Sequence, residues 1–162
     1  MSNPIETLRE RGLLHDHTDE ESLIEHLTSG TRTFYVGFDP TAPSLHVGNL
    51  AGLMAMAWLQ RAGHRPIALA GGATGRIGDP SFRDEERQLM DEEEIERNLA
   101  GIRRDFGRVL DMSEAILVDN YEWTKDVTVL EFLRDIGKHF TVNQLISREA
   151  IRRRMEDREQ GI

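Results

Sequence analysis

Two polar residues at the start of a predicted helix suggest the chemistry of this chain. His46 and Asn49 lie three residues apart, so they share one face of a first helical turn. The N–H groups of such a turn and the positive end of the helix dipole attract phosphate oxygens. Gly48, between them, lets a ligand approach the backbone closely. The pattern indicates a nucleotide-binding helix start, although a surface His and Asn at an ordinary helix cap would give the same string.

A short strand and a proline-rich turn lead into this helix. Residues 31–38 alternate β-branched and aromatic side chains, as a strand does. Pro40 and Pro43 fix φ and end the strand. Ser44 is predicted to cap a helix that runs from about residue 45 to residue 62.

The rest of the chain alternates helices and strands in the same way. We predict helices at 4–11, 19–29 and 91–110 and buried strands at 66–70 and 115–118. The predicted fold is α/β, a Rossmann-like parallel sheet flanked by helices and preceded by N-terminal helices, with the lead-in at 1–30 and the sheet domain at 31–162. Ligands bind beyond the carboxyl ends of parallel strands, so the turns after the first two strands should face one crevice.

The composition restricts the class of protein. The 162 residues include no cysteine, which excludes disulfide frameworks and thiol nucleophiles. A net charge of -9 argues against a surface that binds nucleic acid broadly. No apolar run approaches the roughly 20 residues that span a bilayer, and the polar N-terminus is unlike a signal peptide. The sequence therefore predicts a cytoplasmic protein that does not contact a membrane.

The scattered histidines do not predict a metal site. His15 and His17 lie two residues apart on a polar loop without further ligands, which is a poor arrangement for a metal ion. His64 and His139 have no partner visible in the sequence, and both are predicted to lie at the surface. We predict no bound metal.

Three blocks of sequence carry a family resemblance. GFDPTAPSLHVGN resembles the HIGH motif region of class I aminoacyl-tRNA synthetases in its bacterial tyrosyl-tRNA synthetase form. GGATGRIGDPS, at 71–81, resembles a second block of the same enzymes, and DNYEW, at 119–123, resembles a third. Two long blocks in register are specific where a single glycine pattern would be weak. The resemblance covers almost the whole chain.

The resemblance implies a ligase that joins tyrosine to tRNA. In such enzymes the tyrosine carboxylate attacks the α-phosphate of ATP, and the tyrosyl group then passes to tRNA(Tyr). ATP is a substrate, with Mg2+ expected on its phosphates, and no tightly bound cofactor is implied. The residues implied for ATP are Gly37, Asp39, Thr41, His46, Gly48 and Asn49. The catalytic contacts to the phosphates would come from His46, Asn49, Arg83 and Arg87.

The tyrosine substrate would be held by a second group of residues. By the resemblance, Tyr35 meets the phenol of the substrate and Asp79 its ammonium group, with Thr74 assisting. From the residues alone, Tyr35 could simply be packed, and Asp79 could be an ordinary turn residue before proline. Arg83 and Arg87 lie among acidic residues, so a solvated charge run also explains that segment.

The resemblance also concerns partners and completeness. The chain corresponds to the N-terminal part of a catalytic domain, so alone it would activate tyrosine slowly or not at all. tRNA(Tyr) would be held mainly by domains outside this chain. Apolar residues of 136–146 resemble a dimer contact, although packing onto a core explains them almost as well. Two alternatives remain open, a tryptophanyl-tRNA synthetase fragment and a non-catalytic nucleotide-binding module.

Overall fold

A computed structural model describes residues 3–77, 90–147, 151, 152 and 155. Three strands, eight α-helices and two short helical turns occur among them. The strands are β1 (Thr33–Phe38), β2 (Arg65–Ala70) and β3 (Ile116–Asp119). The helices are α1 (Pro4–Glu10), α2 (Glu20–Thr28), α3 (Val47–Arg61), α4 (Gly72–Ile77), α5 (Glu92–Phe106), α6 (Tyr121–Thr124), α7 (Val129–Glu131) and α8 (Val142–Ile146). A π-helical turn (Phe132–Ile136) and a 3-10 turn (Gly137–His139) lie between α7 and α8.

The chain divides into two compact units. The first contains Met1–Asp79 and Arg87–Glu122, and with them all three strands. The second contains Pro80–Glu86 and Trp123–Ile162, and its described part is helical. The predicted N-terminal helices, α1 and α2, belong to the first unit.

The three strands form one parallel sheet in the order β1-β2-β3. Phe38 is paired with Ala70, and Ala70 with Asp119, so all three strands end at the same level. The predicted Rossmann-like arrangement of parallel strands and helices is confirmed. The residues that follow the three strands therefore lie at one edge of the sheet.

Helices α3 and α5 cover the same face of the sheet. Met56 of α3 and Phe106 of α5 are fully buried, and both belong to a cluster that includes Phe38 and Ala68. The rings of Phe38 and Phe106 meet edge to face, with centroids 5.1 Å apart and planes at 63°, a favourable aromatic geometry. The amphipathic pattern predicted for residues 91–110 thus supplies the core, as expected.

The loop between β1 and α3 is fixed by side chains of α5. The buried Asn98 donates from Nδ2 to the carbonyl oxygen of Pro40 at 3.0 Å. The N–H of Leu45 donates to Asp105 Oδ2 at 2.9 Å. These two hydrogen bonds hold the proline-rich turn at both ends, because they join it to a helix about 60 residues away in sequence.

The end of β3 holds the start of α4 in place. Asp119, 6% exposed, accepts through Oδ1 from the N–H groups of Gly72 at 3.1 Å and Tyr121 at 2.9 Å. Asn120 Oδ1 accepts from the N–H of Ala73 at 2.7 Å. Two N–H groups at the beginning of α4, which have no partner inside the helix, are satisfied in this way. No helix was predicted here, because its sequence, GATGRI, is rich in glycine.

His64 is buried, so its predicted surface position is wrong. It is 3% exposed, and its Nδ1 accepts from the N–H of Arg32 at 3.2 Å. Its Nε2 is buried without a hydrogen-bond partner among the described residues. Burial, with smaller contributions from Arg32 and His26, lowers the pKa of His64 below its ordinary value.

The buried imidazole predicts that stability falls as the pH drops below about 6.5, the unfolded histidine value. Below that pH the unfolded chain binds a proton that folded His64 binds only at lower pH. The contribution of neutral His64 to stability is therefore complete above about pH 6.5, and it is lost as the pH falls from there to the lowered pKa of the folded state. Replacing His64→Gln should flatten this part of the stability curve, measured by urea unfolding from pH 7.5 to 5.

His139→Gln is the matched control, because His139 is exposed. It should leave the slope of the wild type unchanged. Equal slopes for the wild type and His64→Gln would contradict this account of the buried ring.

The hydrogen bonds at the end of β3 predict a second effect on stability. Asp119→Ala removes the acceptor of two N–H groups, so the free energy of unfolding should fall by about 2–4 kcal/mol. Chemical denaturation measures this directly. Asp16→Ala, at an exposed carboxylate that accepts one N–H from His17, should change it by less than about 0.5 kcal/mol. Equal losses in the two variants would show that Asp119 does not anchor α4.

Candidate functional site

A direct hydrogen bond joins the first two sequence blocks. Thr74 Oγ1 in α4 donates to Asp39 Oδ1, which follows β1, at 2.8 Å. The N–H of Gly71 donates to the carbonyl oxygen of Phe38 at 2.9 Å in the same place. The turns after β1 and β2 therefore lie side by side at the carboxyl edge of the sheet, as the parallel topology predicts.

Glycine is required where these turns meet. A Cβ added to Gly71 would collide with Thr74 Oγ1 and would lie 2.7 Å from Asp39 Oδ1. A Cβ added to Gly75 would lie 2.9 Å from Pro40 Cγ. The glycines of the second block thus allow close approach between the two turns, which is one of the residue's uses.

His46, and not Ser44, caps α3. The helix begins at Val47, and His46 has extended backbone angles. Its Nδ1 accepts from the N–H of Gly48 at 3.0 Å, while Asn49 Oδ1 accepts from the N–H of His46 at 3.1 Å. The prediction of Ser44 as the cap is therefore wrong, because the N–H of Leu45 is bound to Asp105 and the helix starts two residues later.

This cap determines which groups His46 and Asn49 can offer to a ligand. Because Nδ1 of His46 accepts a backbone hydrogen, the neutral ring carries its own proton on Nε2. Asn49 uses its oxygen in the cap, so its Nδ2 group is the donor that it can present. The N–H of Gly48, which the sequence suggested for a ligand, is already bound to His46. A Cβ on Gly48 would lie 2.8 Å from His46 Cε1, so glycine keeps the imidazole in place.

Tyr35 and Gly37 lie on the face of β1 that the core leaves exposed. Burial alternates along the strand, and Tyr35 is 69% exposed. Phe34 and Val36 point to the other face and pack against the core. Tyr35 is the third residue of the strand. Gly37 leaves space beside it, because it has no side chain.

The remaining predicted residues divide into two groups. Thr41 is exposed, and its N–H donates to the carbonyl oxygen of Asp39 at 2.9 Å. Asp79, Arg83 and Arg87 lie outside the described residues. The described part of the site thus contains the candidates from β1, from the loop that joins it to α3, from α3 and from α4.

Sequence reasoning missed Arg76, which lies in α4 beyond Thr74. Its guanidinium is paired with Glu92, the contact that most raises the pKa of Arg76 and that also lowers the pKa of Glu92. The signal in the sequence was weak, because no local pattern links Arg76 to Glu92.

The described ranges offer neither a metal centre nor a membrane-spanning helix. Within residues 3–77, 90–147, 151, 152 and 155, no three His, Asp or Glu residues are arranged to hold a metal ion. In the same ranges no helix is long and apolar enough to cross a membrane. A cavity of about 710 Å³ opens at the opposite edge of the sheet, beside Thr31, His64 and Ser113, and none of the candidate residues line it.

Comparisons with known proteins agree with the fold and with the sequence blocks. The family profile described as tRNA synthetases class I (W and Y) matches residues 28–162. A tyrosine–tRNA ligase of Brucella abortus (strain 2308) is 48% identical over 165 residues, covering 99% of this chain and 39% of its own length. The corresponding ligase of Pseudomonas aeruginosa (strain LESB58) is 52% identical over 158 residues, covering 98% of this chain and 38% of its own length. This chain therefore spans less than half the length of these relatives.

Solved structures give the same result. A C-terminally truncated mitochondrial tyrosyl-tRNA synthetase of Aspergillus nidulans superposes with a TM-score of 0.82 at 31% identity, covering 100% of this chain and 49% of that one. The Coccidioides posadasii counterpart has a TM-score of 0.79 at 25% identity, with coverage of 100% and 47%. The chain belongs to the class I tRNA synthetases of the tryptophan and tyrosine (W and Y) family.

Proposed function

We propose that this chain is the ATP- and tyrosine-binding part of a tyrosine–tRNA ligase. In the first step a carboxylate oxygen of tyrosine attacks the α-phosphorus of ATP. The bond from that phosphorus to the oxygen bridging to the β-phosphate breaks, and pyrophosphate leaves. A hydroxyl of tRNA(Tyr) then takes the tyrosyl group from the adenylate, and AMP is released. No protein nucleophile is needed, so the task of the residues is alignment and charge stabilisation.

The observation that carries this proposal is the hydrogen bond between Thr74 and Asp39. It joins a residue assigned to tyrosine with a residue assigned to ATP, at the edge where a parallel sheet binds ligands. The reaction requires the two substrates to be in contact, so their binding residues must be in contact or nearly so. Candidates scattered over the molecule could not meet that requirement.

The start of α3 is the part we assign to the phosphates. The Nε2–H of His46 and the Nδ2 group of Asn49 are hydrogen-bond donors at the positive end of a 15-residue helix. Their cap hydrogen bonds fix both side chains before any ligand arrives. Donors that are already oriented need no rearrangement when charge grows on the phosphates, which is the main source of their catalytic effect.

The exposed face of β1 is the part we assign to tyrosine. Tyr35 presents its phenol there, and Gly37 leaves room for a flat aromatic substrate. Gly37 is paired with Leu69 of β2, which supplies apolar surface next to it. The assignments of Asp79 to the substrate ammonium group and of Arg83 and Arg87 to pyrophosphate remain predictions from the resemblance.

Mg2+ belongs to this proposal as part of the substrate. The described residues hold no group of acidic or histidine side chains suited to a metal ion. ATP would bring the ion on its phosphates, and the residues of this chain would contact the phosphate oxygens. tRNA(Tyr) would be bound mainly by segments outside this chain, and the activity would take place in the cytoplasm.

A homodimer is the second partner that we propose. Apolar side chains of the second unit are unusually exposed: Leu133 is 58%, Phe140 60% and Val142 68% exposed. A concentration of such residues on one short stretch is typical of a protein contact. Residues 136–146, which include Phe140 and Val142 but not Leu133, resemble the dimer contact of the family.

Pyrophosphate exchange tests the proposed reaction. We expect the chain completed to the length of its relatives to incorporate labelled pyrophosphate into ATP when tyrosine is present, and this chain alone to do so far more slowly. His46→Ala should lower the rate roughly 10²-fold, because one phosphate donor is lost. His46→Ser keeps a good helix cap without the imidazole. It should match the alanine variant in activity while unfolding at the wild-type denaturant concentration.

Three results would contradict the proposal. If both His46 variants exchanged pyrophosphate at the wild-type rate, the imidazole would have no role in the reaction. Tryptophan-dependent exchange in place of tyrosine-dependent exchange would assign the other substrate of the family. A completed chain without any amino-acid-dependent exchange would favour a non-catalytic nucleotide-binding module.

Sedimentation tests the dimer. The completed chain should sediment as a dimer at micromolar concentration, and Leu133→Asp and Phe140→Asp should each shift it toward the monomer, since burying a carboxylate is costly. Ile77→Asp is the control, because Ile77 is an exposed apolar residue of the first unit, at 73%. A wild-type monomer at high concentration would rule the dimer out.

A further inference from the structure

Arg76 makes an unusually complete set of contacts for a side chain near the surface. Its Nε donates to Glu92 Oε2 at 3.1 Å, and its Nη2 donates to the other oxygen of Glu92. The same Nη2 donates to Glu96 Oε1 at 3.1 Å. Nη1 donates to the carbonyl oxygen of Gly72 at 2.8 Å. The guanidinium carbon lies 3.7 Å from the centroid of the Tyr121 ring.

Directional contacts hold the guanidinium in place more than its charge does. Its side chain is 15% exposed, whereas those of Glu92 and Glu96 are 65% and 55% exposed. A simple pair with such exposed carboxylates would contribute little to stability. The two-point contact with Glu92 and the stacking on Tyr121 add directional constraints that a Lys could not reproduce. We call these contacts of Arg76 with Glu92, Glu96 and Tyr121 the Arg76 clasp.

The Arg76 clasp lies at the opposite end of α4 from its other anchor. Asp119 and Asn120 hold the N–H groups of Gly72 and Ala73 at the start of the helix. Arg76 is in its last turn. A helix of six residues is not stable by itself, because its few internal hydrogen bonds do not offset the ordering of its backbone. The position of α4 is therefore determined by its two anchors.

Thr74 lies between these anchors. Its hydroxyl reaches Asp39 from the middle of α4. The clasp also joins two positions on either side of residues 78–89 in the sequence, since Arg76 precedes that stretch and Glu92 follows it. A change at Arg76 should therefore alter the positions of Thr74 and Asp39.

We propose that Arg76 is a positioning residue for adenylate formation. By fixing the end of α4, it sets where Thr74 meets Asp39 and hence how tyrosine is placed against ATP. The inference rests on the proposed function for its catalytic consequence. Its structural consequence, a fixed α4, can be measured independently of any activity.

The experiment compares Arg76→Gln with a matched control. Arg9→Gln removes a similar Arg–Glu contact, to Glu20, between α1 and α2. Both variants are made in the completed chain. Three measurements are made. They are the kinetics of tyrosine-dependent pyrophosphate exchange, which give kcat and KM, the midpoint of thermal unfolding, and hydrogen exchange of the amides of Gly72–Ile77.

We expect Arg76→Gln to lower kcat about tenfold or more, with a smaller change in either KM, because misplacement affects alignment more than binding. The amides of Gly72–Ile77 should exchange faster. Arg76→Lys, which keeps the charge but not the two-point contact, should lie between wild type and Arg76→Gln. The swap Arg76→Glu with Glu92→Arg should recover part of what Arg76→Glu alone loses. Arg9→Gln should match the wild type in kcat and in exchange of α4.

The outcomes separate this inference from the proposed function. If Arg76→Gln lowers only the unfolding midpoint, while kcat and amide exchange stay at the values of Arg9→Gln, the positioning role is overturned. If the wild type shows no tyrosine-dependent exchange, the proposed function fails. Amide exchange of α4 still decides whether Arg76 fixes that helix, and unchanged exchange overturns the inference.

Discussion

The structure depends on three parallel strands ending at one level. Phe38, Ala70 and Asp119 are aligned across the sheet, so the residues that follow each strand arrive at a common edge. The buried carboxylate of Asp119 accepts hydrogen bonds from N–H groups of the segments that follow β2 and β3. A buried carboxylate is costly unless its oxygens are satisfied. The turn after β2 is therefore tied to the end of β3, and the candidate site is built on that connection.

The second constraint is that both connecting helices pack on one face. Helices α3 and α5 share a core with Phe38, while Tyr35 is exposed on the other side of β1. The same helix α5 also holds the loop before α3, through Asn98 and Asp105. One helix thus supplies the core, fixes the start of α3 and, through Glu92, binds the end of α4. Its sequence combines apolar residues at helical spacing with polar residues at the positions that these tasks require.

The strands and the long helices could be predicted from the sequence because their patterns are local. Alternation marks residues 31–38, an apolar run marks 66–70, and helical spacing marks α5. The site was predictable only in part. The choice of His46 over Ser44 as the cap depends on Asp105, which binds Leu45 from a distant part of the chain. Helix α4 depends on Asp119 and Asn120 in the same way, and no local pattern in its sequence indicates that.

The burial of His64 was also beyond local reasoning. Its Nδ1 meets the backbone of Arg32, across the start of two neighbouring strands, and a sequence shows no such partner. Such long-range contacts decide which polar residues are buried.

Mapping a bound ligand onto the sheet tests most directly whether the carboxyl edge is the binding site. A 15N-labelled sample of this chain, titrated with a non-hydrolysable mimic of tyrosyl-adenylate, would report which backbone amides change. The largest chemical-shift changes should lie in residues 37–41, 46–49 and 71–76, at the carboxyl edge. Changes centred on Thr31, His64 and Ser113, beside the cavity at the opposite edge, would contradict it.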